Sequence, residues 1–357
     1  MKRSLMFSAL LLALIMMLAA CGGATQPAAP APPPAAPPAE LVPADEVLAA
    51  EPAPTDQGTP DRPFRIGATL QTLQNPSWAA VFGHVERLLD QRGIEHTILD
   101  SDNNSAVQIS QIENFITSGV DLIYIHAADS IALEDVARQA REAGIIVMAW
   151  DDIMENSDLN MVLDNRVKGY AIGEAAAHHI NEHFSTDNPV QVAVMNYPAV
   201  PILLEREQGI IEALEAHASG LFEIVASQPA LDAAVAMSHV ETILQAHPNV
   251  RVVVSIGAGG AVGANEAFMV AHGGNVPADI GVFSADITLQ QLESVLNNEA
   301  NRVLIGAEGS SLRTGEATVN VMERLLAGEN LPRNLLRTLA PADINNAADF
   351  LADYDGL

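Results

Sequence analysis

The chain has few of the residues on which several functional classes depend. It carries one cysteine, 4% aromatic residues, and 17 Lys plus Arg against 45 Asp plus Glu in 357 residues, a formal net charge of −28. A lone cysteine excludes an intramolecular disulfide and a Cys-based zinc site. The shortage of cations argues against nucleic acid as a partner, because a polyanion is bound through clustered Lys and Arg. The 49% of hydrophobic residues suffices for a globular core.

The motifs of common enzyme classes are also missing. Neither H-E-x-x-H nor G-x-S-x-G occurs, so the chain lacks a zinc-protease helix and a nucleophile elbow. His178, His179 and His183 share a predicted helix, where we expect a solvated polar face. The segment Gly257–Gly263 follows a predicted strand, as a dinucleotide-binding turn would. It departs from the G-x-G-x-x-G motif of such turns, because Val262 stands at the last glycine position. We therefore predict no enzyme activity, no cofactor and no metal, with a lipoprotein enzyme acting on a sugar as a minor alternative.

The amino terminus has the pattern of an export signal. Lys2 and Arg3 precede an apolar run, Leu5–Ala20, which is short for a membrane span of ~20 residues. The run ends in small residues directly before Cys21, which resembles the bacterial lipoprotein signal. We predict that residues 1–20 are a signal peptide and that Cys21 is lipidated, so that the protein is extracytoplasmic and anchored to the cell membrane (periplasm or cell surface). An uncleaved anchor helix is the alternative.

Residues 21–63 have a different composition from the rest of the chain. Twelve of the 21 prolines lie between Gly22 and Pro63, interleaved with alanine. Such a segment has too little apolar periodicity to offset the entropy of ordering, and proline favours extended polyproline II. We predict a semi-rigid tether between the membrane and a folded domain.

From Phe64 onward, apolar runs rich in β-branched residues alternate with helical windows of roughly 12–18 residues that have 3.6-residue apolar spacing. Asn75-Pro76 is a helix start signal, and Gly93 and Gly144 are stop signals. Alternating strands and helices predict parallel sheets, and about nine strands predict two lobes. The predicted strands are Phe64 to Leu70, Ile94 to Leu99, Leu122 to His126, Ile145 to Trp150, Val190 to Met195, Phe222 to Ala226, Val250 to Ile256, Ile280 to Ser284 and Val303 to Gly306.

Ligands of such sheets bind beyond the carboxyl ends of the strands. Both tryptophans, Trp78 and Trp150, lie at or soon after a predicted strand end, among amides and carboxylates. Aromatic faces combined with planar hydrogen-bonding groups suit a polyol, which has apolar C–H faces and a ring of hydroxyls. The alternative is that Trp150 belongs to the core and that Asp151 and Asp152 only begin a loop.

An ordered series of motifs resembles the periplasmic binding proteins of the ribose-binding type. The motifs are Thr72–Trp78, Asp100–Asn104, Ala127–Ser130, Trp150-Asp151, Asp164-Asn165, Glu205–Gly209, Ser227–Ala230 and Gln245–Asn249. The resemblance implies an α/β fold with two Rossmann-like parallel-sheet lobes, joined by a three-crossover hinge near Leu163, Glu308 and Leu336. It also implies a sugar held between the lobes. The lobes are expected at 64–163 with 309–336 (N-terminal) and at 164–308 with 337–357 (C-terminal).

The ligand-binding positions of that family are only partly preserved. The resemblance assigns the turn asparagine to Asn75, an aromatic position to Trp78, and two carboxylates to Asp151 and Asp286. Four other positions depart from the family pattern. They are Asp152 and Leu204 in place of arginines, and His126 and Gly257 in place of asparagines. Loss of arginine together with added carboxylates predicts a neutral or cationic ligand, since buried like charges repel. The Trp-Asp-Asp sequence also resembles the rhamnose or autoinducer-2 branch.

We therefore predict a monomeric solute-binding lipoprotein that captures a small neutral sugar or sugar-like ligand and delivers it to the membrane subunits of an ABC permease. The alternative is a sensory protein that presents a sugar or an autoinducer-2-like signal to a membrane receptor. A LacI-type regulator is rejected, because the leader stands where a DNA-binding helix would be. The candidate ligand-binding residues are Gln71, Asn75, Trp78, His126, Trp150, Asp151, Asp152, Tyr197, Gly257, Asp286 and Glu308. Arg206 is expected to brace the second lobe rather than to touch the ligand.

Overall fold

The computed structural model describes residues 41–49 and 62–353, in which thirteen strands and eleven helices are formed. The strands are β1 Val42–Pro43, β2 Arg65–Leu70, β3 Glu95–Asp100, β4 Leu122–His126, β5 Ile146–Asp151, β6 Leu159–Val162, β7 Val190–Asn196, β8 Phe222–Pro229, β9 Val250–Ser255, β10 Gly281–Ala285, β11 Asn301–Ala307, β12 Asn334–Leu336 and β13 Leu339–Ala342. The helices are α1 Ala44–Ala49, α2 Pro76–Gln91, α3 Ser105–Ser118, α4 Ser130–Glu142, α5 Asn165–His183, α6 Pro201–His217, α7 Ala233–Ala246, α8 Ala258–Ala271, α9 Leu289–Leu296, α10 Ser311–Leu326 and α11 Ala347–Ala352.

The strands form two sheets, each at the centre of one lobe. The first sheet has the order β1-β12-β6-β5-β4-β2-β3, and the second has the order β13-β11-β10-β9-β7-β8. All strand pairs among the described residues are parallel except β11 with β13. The central strands β4 and β10 are buried along their whole length, as expected for parallel strands covered by helices on both faces. The predicted fold class is confirmed.

The chain passes between the sheets three times. It leaves the first sheet after β6, returns after β11 through α10, which packs on α2, and crosses again between β12 and β13. The crossovers are joined by backbone hydrogen bonds. The amide of Arg337 donates to the carbonyl oxygen of Val162 at 2.8 Å, and the amide of Glu308 donates to that of Thr338 at 2.7 Å. The three crossing segments therefore lie side by side and form a single hinge.

Local signals in the sequence explain where helices begin and end. The side chain of Asn75 accepts from the amide of Trp78 at 3.4 Å at the start of α2, and Asp164 caps α5 by accepting from the amide of Val167 at 2.9 Å. Gly93 and Gly144 have φ angles of +68° and +81° at the ends of α2 and α4, a region that glycine enters without steric cost. The start signal predicted at Asn75-Pro76 and the stop signals predicted at Gly93 and Gly144 are confirmed.

The tether prediction is wrong for residues 42–49. Val42 and Pro43 pair with Leu335 and Leu336 as an additional edge strand, and Ala44 is buried at the start of α1. The guanidinium of Arg324 donates to the carbonyl oxygen of Val47. Strand β12 would otherwise expose an unpaired edge, which proteins commonly cover. The predicted signal peptide 1–20, Cys21 and most of the remaining tether lie outside the described residues.

Four of the thirteen strands were not predicted. They are the short strands β1, β6, β12 and β13, which have two to four residues each. Alternation cannot be recognised over so few residues. Two of them, β12 and β13, flank the third crossover, so the sequence pattern did not show how that part of the hinge is built.

Candidate functional site

The candidate residues all occupy or follow the carboxyl end of a strand. Those of the first lobe come at the ends of β2, β4 and β5, and those of the second lobe come after β7, β9, β10 and β11. Because neighbouring strands run parallel, their carboxyl ends share one edge of each sheet, and loops at that edge lie together. The fold thus places each set of candidates on one side of its lobe.

An aromatic cluster lies at this edge of the first lobe. The His126 ring centroid is 4.4 Å from that of Trp78 and 4.8 Å from that of Trp150, with both pairs edge-to-face. Phe82 packs edge-to-face on Trp150 at 5.5 Å and on Tyr124 at 5.8 Å. Trp150 is only 2% exposed, so it belongs to the core as well as to the site. Trp78 is half-buried, and its ring is the more accessible of the two tryptophan faces.

Three polar atoms of this cluster are buried without a hydrogen-bond partner among the described residues. They are the Tyr124 hydroxyl, His126 Nδ1 and Trp150 Nε1. Burial lowers the pKa of His126 to about 4, with smaller contributions from nearby charges. The imidazole is therefore neutral near pH 7, where it offers one N–H donor and one acceptor. Buried polar groups of this kind normally find a partner, so the cluster has unused hydrogen-bonding capacity.

Arg337 connects the first lobe to the hinge. Its guanidinium lies over the Trp150 ring, 4.3 Å from the centroid, and forms ion pairs with Asp151 and with Glu308, the latter at 2.8 Å. Glu308 also accepts from the hydroxyl of Thr314 at 3.1 Å. Burial lowers the pKa of Arg337, but the charges of Glu308 and Asp151 outweigh it and raise the pKa above its usual value. One buried cation thus holds two carboxylates.

Three of the four candidate carboxylates share an unusual backbone conformation. Asp151, Asp286 and Glu308 have φ angles of +66°, +70° and +52°. The left-handed region is uncommon for residues other than glycine and costs of order 1–3 kcal/mol. In each case the residue directly follows a strand or ends it, so this conformation turns the chain sharply at the carboxyl edge. These three side chains therefore project from positions where the backbone is locally strained.

Asp286 has its own buried cation in the second lobe. The Nζ of Lys168, on α5, lies 2.9 Å from Asp286 Oδ1, and Lys168 is only 3% exposed. Burial raises the pKa of Asp286, but the charges of Lys168 and Arg206 and a hydrogen bond from the Ala258 amide outweigh it, so that the pKa is lowered. Burial has the opposite effect on the lysine: it lowers the pKa of Lys168, and the charge of Asp286 opposes this lowering. A Cβ at Gly257 would come 3.8 Å from Asp286 Oδ2, which places these two candidates side by side.

Arg206 connects α5 to the second sheet. It is buried, and its guanidinium donates to the side-chain oxygen of Asn165 and, at 2.6 Å, to the carbonyl oxygen of Ile256. Burial lowers its pKa, while the charges of Asp286 and Asp151 oppose that effect. Because Asp151 ends a strand of the first sheet, this interaction spans both lobes. The contacts agree with the bracing role expected for Arg206.

The other candidates are less closely connected. The carboxylate of Asp152 is exposed and accepts from the amide of Ile153 at 2.8 Å. Tyr197 packs partly on the second-lobe core. The carbonyl oxygen of Gln71 accepts from the hydroxyl of Ser101 at 3.0 Å. Their roles in choosing a ligand stay predictions.

Sequence reasoning missed Lys168 and Arg337. Lys168 lies within a helix, and Arg337 follows a three-residue strand, so neither is at a recognisable strand end. The sequence held one weak signal for them. Because the chain has so few cations, a Lys or Arg near a predicted hinge is a candidate ion-pair partner for an acidic residue there. Their presence also changes the charge of the site, because Asp151, Glu308 and Asp286 are matched by Arg337, Lys168 and Arg206.

The expected solvated histidine face is wrong for His179. Its side chain is mostly buried, its Nε2 lies 3.1 Å from the carbonyl oxygen of Asp279, and its ring packs against Phe283 at 5.3 Å. Burial lowers its pKa to about 4. The spacing of the histidines along the helix did not show that the face with His179 packs against β10.

Within residues 41–49 and 62–353, no group of three or more His, Cys, Asp or Glu side chains could hold a metal ion.

Comparison with known proteins identifies the family. The model of the periplasmic binding protein domain matches residues 66–330, most of the chain. The chain belongs to the periplasmic binding protein family. It is 29% identical over 216 residues to the ribose import binding protein of Bacillus subtilis (strain 168), a match that covers 60% of this chain and 68% of the relative. The predicted resemblance to the ribose-binding type is confirmed.

Solved structures of periplasmic binding proteins share this fold. A solute-binding protein of an ABC transporter from Actinobacillus succinogenes, with bound D-allose, has a TM-score of 0.68 at 21% identity and covers 81% of this chain and 100% of its own. A myo-inositol binding protein from Caulobacter, bound to myo-inositol, has a TM-score of 0.66 at 19% identity and covers 83% and 98%. Membership of the periplasmic binding protein family places the protein outside the cytoplasm. In the part of the chain that the structure describes, no helix is long and apolar enough to cross a bilayer.

Proposed function

We propose that this periplasmic binding protein captures a neutral sugar or cyclitol between its two lobes. The observation that carries the proposal is the pairing of three candidate carboxylates with buried cations, next to an aromatic cluster. Asp151 and Glu308 pair with Arg337, and Asp286 pairs with Lys168. Paired carboxylates keep free lone pairs for ligand hydroxyls, while their charge is already compensated.

This arrangement favours a neutral ligand over a charged one. A cationic ligand would compete with Arg337 and Lys168 for the same carboxylates, and an anionic ligand would meet three carboxylates. A polyol fits both requirements, since its hydroxyls donate to carboxylates and its C–H face packs on Trp78. The relatives support the proposal, because one is a ribose import binding protein and the other two were solved with D-allose and with myo-inositol bound. Those relatives are described as binding and import proteins, which supports a role without catalysis.

Isothermal titration of the protein against D-ribose, D-allose, myo-inositol, D-glucosamine and D-galacturonate tests the proposal. We expect at least one neutral compound to bind with a dissociation constant of about 1 μM or less, equivalent to about 8 kcal/mol, and the two charged compounds to bind at least tenfold more weakly. Asp286→Asn should weaken the binding, whereas Asp135→Asn, at an exposed position on α4, should leave it unchanged. Preferential binding of D-galacturonate or D-glucosamine would contradict the proposal.

We also propose that Cys21 anchors the protein and that the captured sugar is delivered to an ABC importer. Lipid chains that each bury many methylene groups at ~0.8 kcal/mol apiece give lasting attachment. Cys21→Ser should therefore move the protein from the membrane fraction to the extracytoplasmic soluble fraction, as followed by immunoblotting of fractionated cells. Deletion of the gene should abolish uptake of the radiolabelled sugar. Continued membrane attachment of the serine variant would exclude the anchor, and undiminished uptake would exclude delivery.

A further inference from the structure

Arg337 occupies the shortest connection between the lobes. With Thr338, it forms the whole link between β12 in the first sheet and β13 in the second. Its amide bonds to Val162, the last residue before the first crossover, and Thr338 bonds to Glu308 at the second. Any rotation of one lobe against the other must change backbone angles at these segments. The Arg337 backbone therefore belongs to the hinge itself.

The Arg337 side chain reaches from the hinge into the site. It is 4% exposed, and it contacts Asp151 at the end of β5, Glu308 at the second crossover, and the face of Trp150. Both carboxylates keep part of their surface accessible, 22% for Asp151 and 10% for Glu308. The guanidinium thus binds two carboxylates whose remaining surface is accessible to a ligand.

We propose that Arg337 is a positioning residue, which holds Asp151 and Glu308 in one fixed arrangement for the ligand and joins that arrangement to the hinge. The inference rests on the proposed function and adds a residue to it. The planar guanidinium suits this task because its donors form a rigid fork that can bind two carboxylates at once while stacking on an indole. A lysine at this position would keep the charge but could not hold both carboxylates in fixed directions.

The charge balance gives the inference a measurable consequence. Without Arg337, Asp151 and Glu308 would lose the cation that they share, and neighbouring carboxylates without a counter-ion disfavour the doubly ionised state. The variant would then be more stable at low pH, where one of the two takes up a proton, and less stable at high pH, where both are charged. In the wild-type protein, Arg337 is the counter-ion of both carboxylates.

The test compares Arg337→Met, Arg337→Lys and Arg324→Met with the wild type. Arg324 is the matched control, because it also forms a largely buried ion pair, with Glu329, but is linked to α1 rather than to the site. Titration with D-ribose, D-allose and myo-inositol at pH 5.5 and pH 8.0 gives the affinity, and thermal denaturation without sugar gives the stability at the same pH values.

For Arg337→Met we expect affinity for the bound sugar to fall roughly 10- to 100-fold, as when a buried charged partner is lost. The drop in melting temperature relative to wild type should be larger at pH 8.0 than at pH 5.5, and Glu308→Gln in the same chain should remove that difference. Arg337→Lys should bind with intermediate affinity and show no pH difference. Arg324→Met should lose stability but keep wild-type affinity, so that the affinity separates an ion pair at the site from one elsewhere.

Two outcomes would overturn the inference in different ways. If the wild type binds a sugar and Arg337→Met binds it equally well, or loses stability equally at both pH values, Arg337 is only a structural residue and the proposed function stands. If the wild type binds none of the three compounds, the proposed function fails and the positioning role fails with it.

Discussion

Replacing Lys168 with Met is expected to destabilise the second lobe by about 2 kcal/mol and to weaken sugar binding at least tenfold. Lys168 is buried but the Asp286 side chain is 32% exposed, so the loss should be smaller than the ~3–5 kcal/mol of a fully buried ion pair. The change leaves Asp286 with burial against its charge and only Arg206 as a nearby cation. Asp286 would then either take up a proton or turn toward solvent. In both cases a carboxylate directed at the ligand is lost.

The pH dependence of this loss has a definite sign. In the wild type, the pKa of Asp286 is lowered, so its contribution to stability is present above the ordinary Asp range and is lost as the pH falls. In Lys168→Met, burial is opposed only by the charge of Arg206 and the hydrogen bond from Ala258, so this dependence of stability on pH should weaken. Urea denaturation at pH 5 and pH 8 measures both slopes.

The double variant Lys168→Met with Asp286→Asn is the control for the pair. Asparagine tolerates the +70° φ angle of residue 286, and without the carboxylate no unpaired charge is left. Most of the lost stability should return, while sugar affinity should stay low. If Asp286→Asn restores none of the stability, the lysine acts by packing its methylene chain rather than through its charge.

Replacing Gly169 with Ala is expected to cost about 3 kcal/mol or more, at the upper end of what overpacking a core usually costs. A Cβ at Gly169 would lie 1.9 Å from the carbonyl oxygen of Arg206, and one at Gly209 would lie 2.1 Å from that of Arg166. The two helices α5 and α6 are therefore in direct backbone contact at reciprocal glycines. Neither oxygen can move without separating the helices.

Gly83→Ala is the matched control for this prediction. Gly83 lies inside α2, and a Cβ there would have nothing within 4 Å. Alanine is the better helix former by about 0.8–1.0 kcal/mol, so Gly83→Ala should stabilise the protein. Opposite signs in urea denaturation would show that contact, and not the glycine residue type, decides the effect. A Gly169→Ala protein as stable as the wild type would mean that α5 and α6 lie farther apart than described.

The separation of α5 and α6 should also reach the site. The carbonyl oxygen that approaches Gly169 belongs to Arg206, whose side chain is fixed by Asn165 and Ile256. Moving this backbone would displace Arg206 from its partners. We therefore expect Gly169→Ala to weaken sugar binding as well, whereas Gly83→Ala should leave affinity unchanged.

Much of the architecture could be predicted from the sequence because it is repeated and locally encoded. The alternation of apolar runs with amphipathic windows is long enough to recognise, and the caps at Asn75, Gly93 and Gly144 use local side-chain and backbone chemistry. The short strands β6, β12 and β13 could not be predicted in this way. They exist because neighbouring strands of the sheet offer hydrogen-bonding partners, and that information is not local.

The candidate site divides in a similar way. Trp78, Trp150, Asp151 and Asp286 could be chosen as candidates from the sequence, because parallel strands bring their carboxyl ends together. Whether a carboxylate is free or paired could not be recognised. Lys168 is 118 residues from Asp286, and Arg337 is 186 residues from Asp151. The expectation of an arginine-poor site was incomplete for that reason.

The sequence by itself determined the acidic charge, the lone cysteine behind an apolar leader, and the alternating pattern that specifies two parallel-sheet lobes. Only the tertiary structure decided that Val42 and Pro43 extend the first sheet, that His179 is buried, and that Asp151, Glu308 and Asp286 each have a cation. The physical reason is the range of the interactions. Helix capping and apolar periodicity act over a few residues, whereas edge-strand pairing, burial and ion pairs depend on groups that only folding brings together.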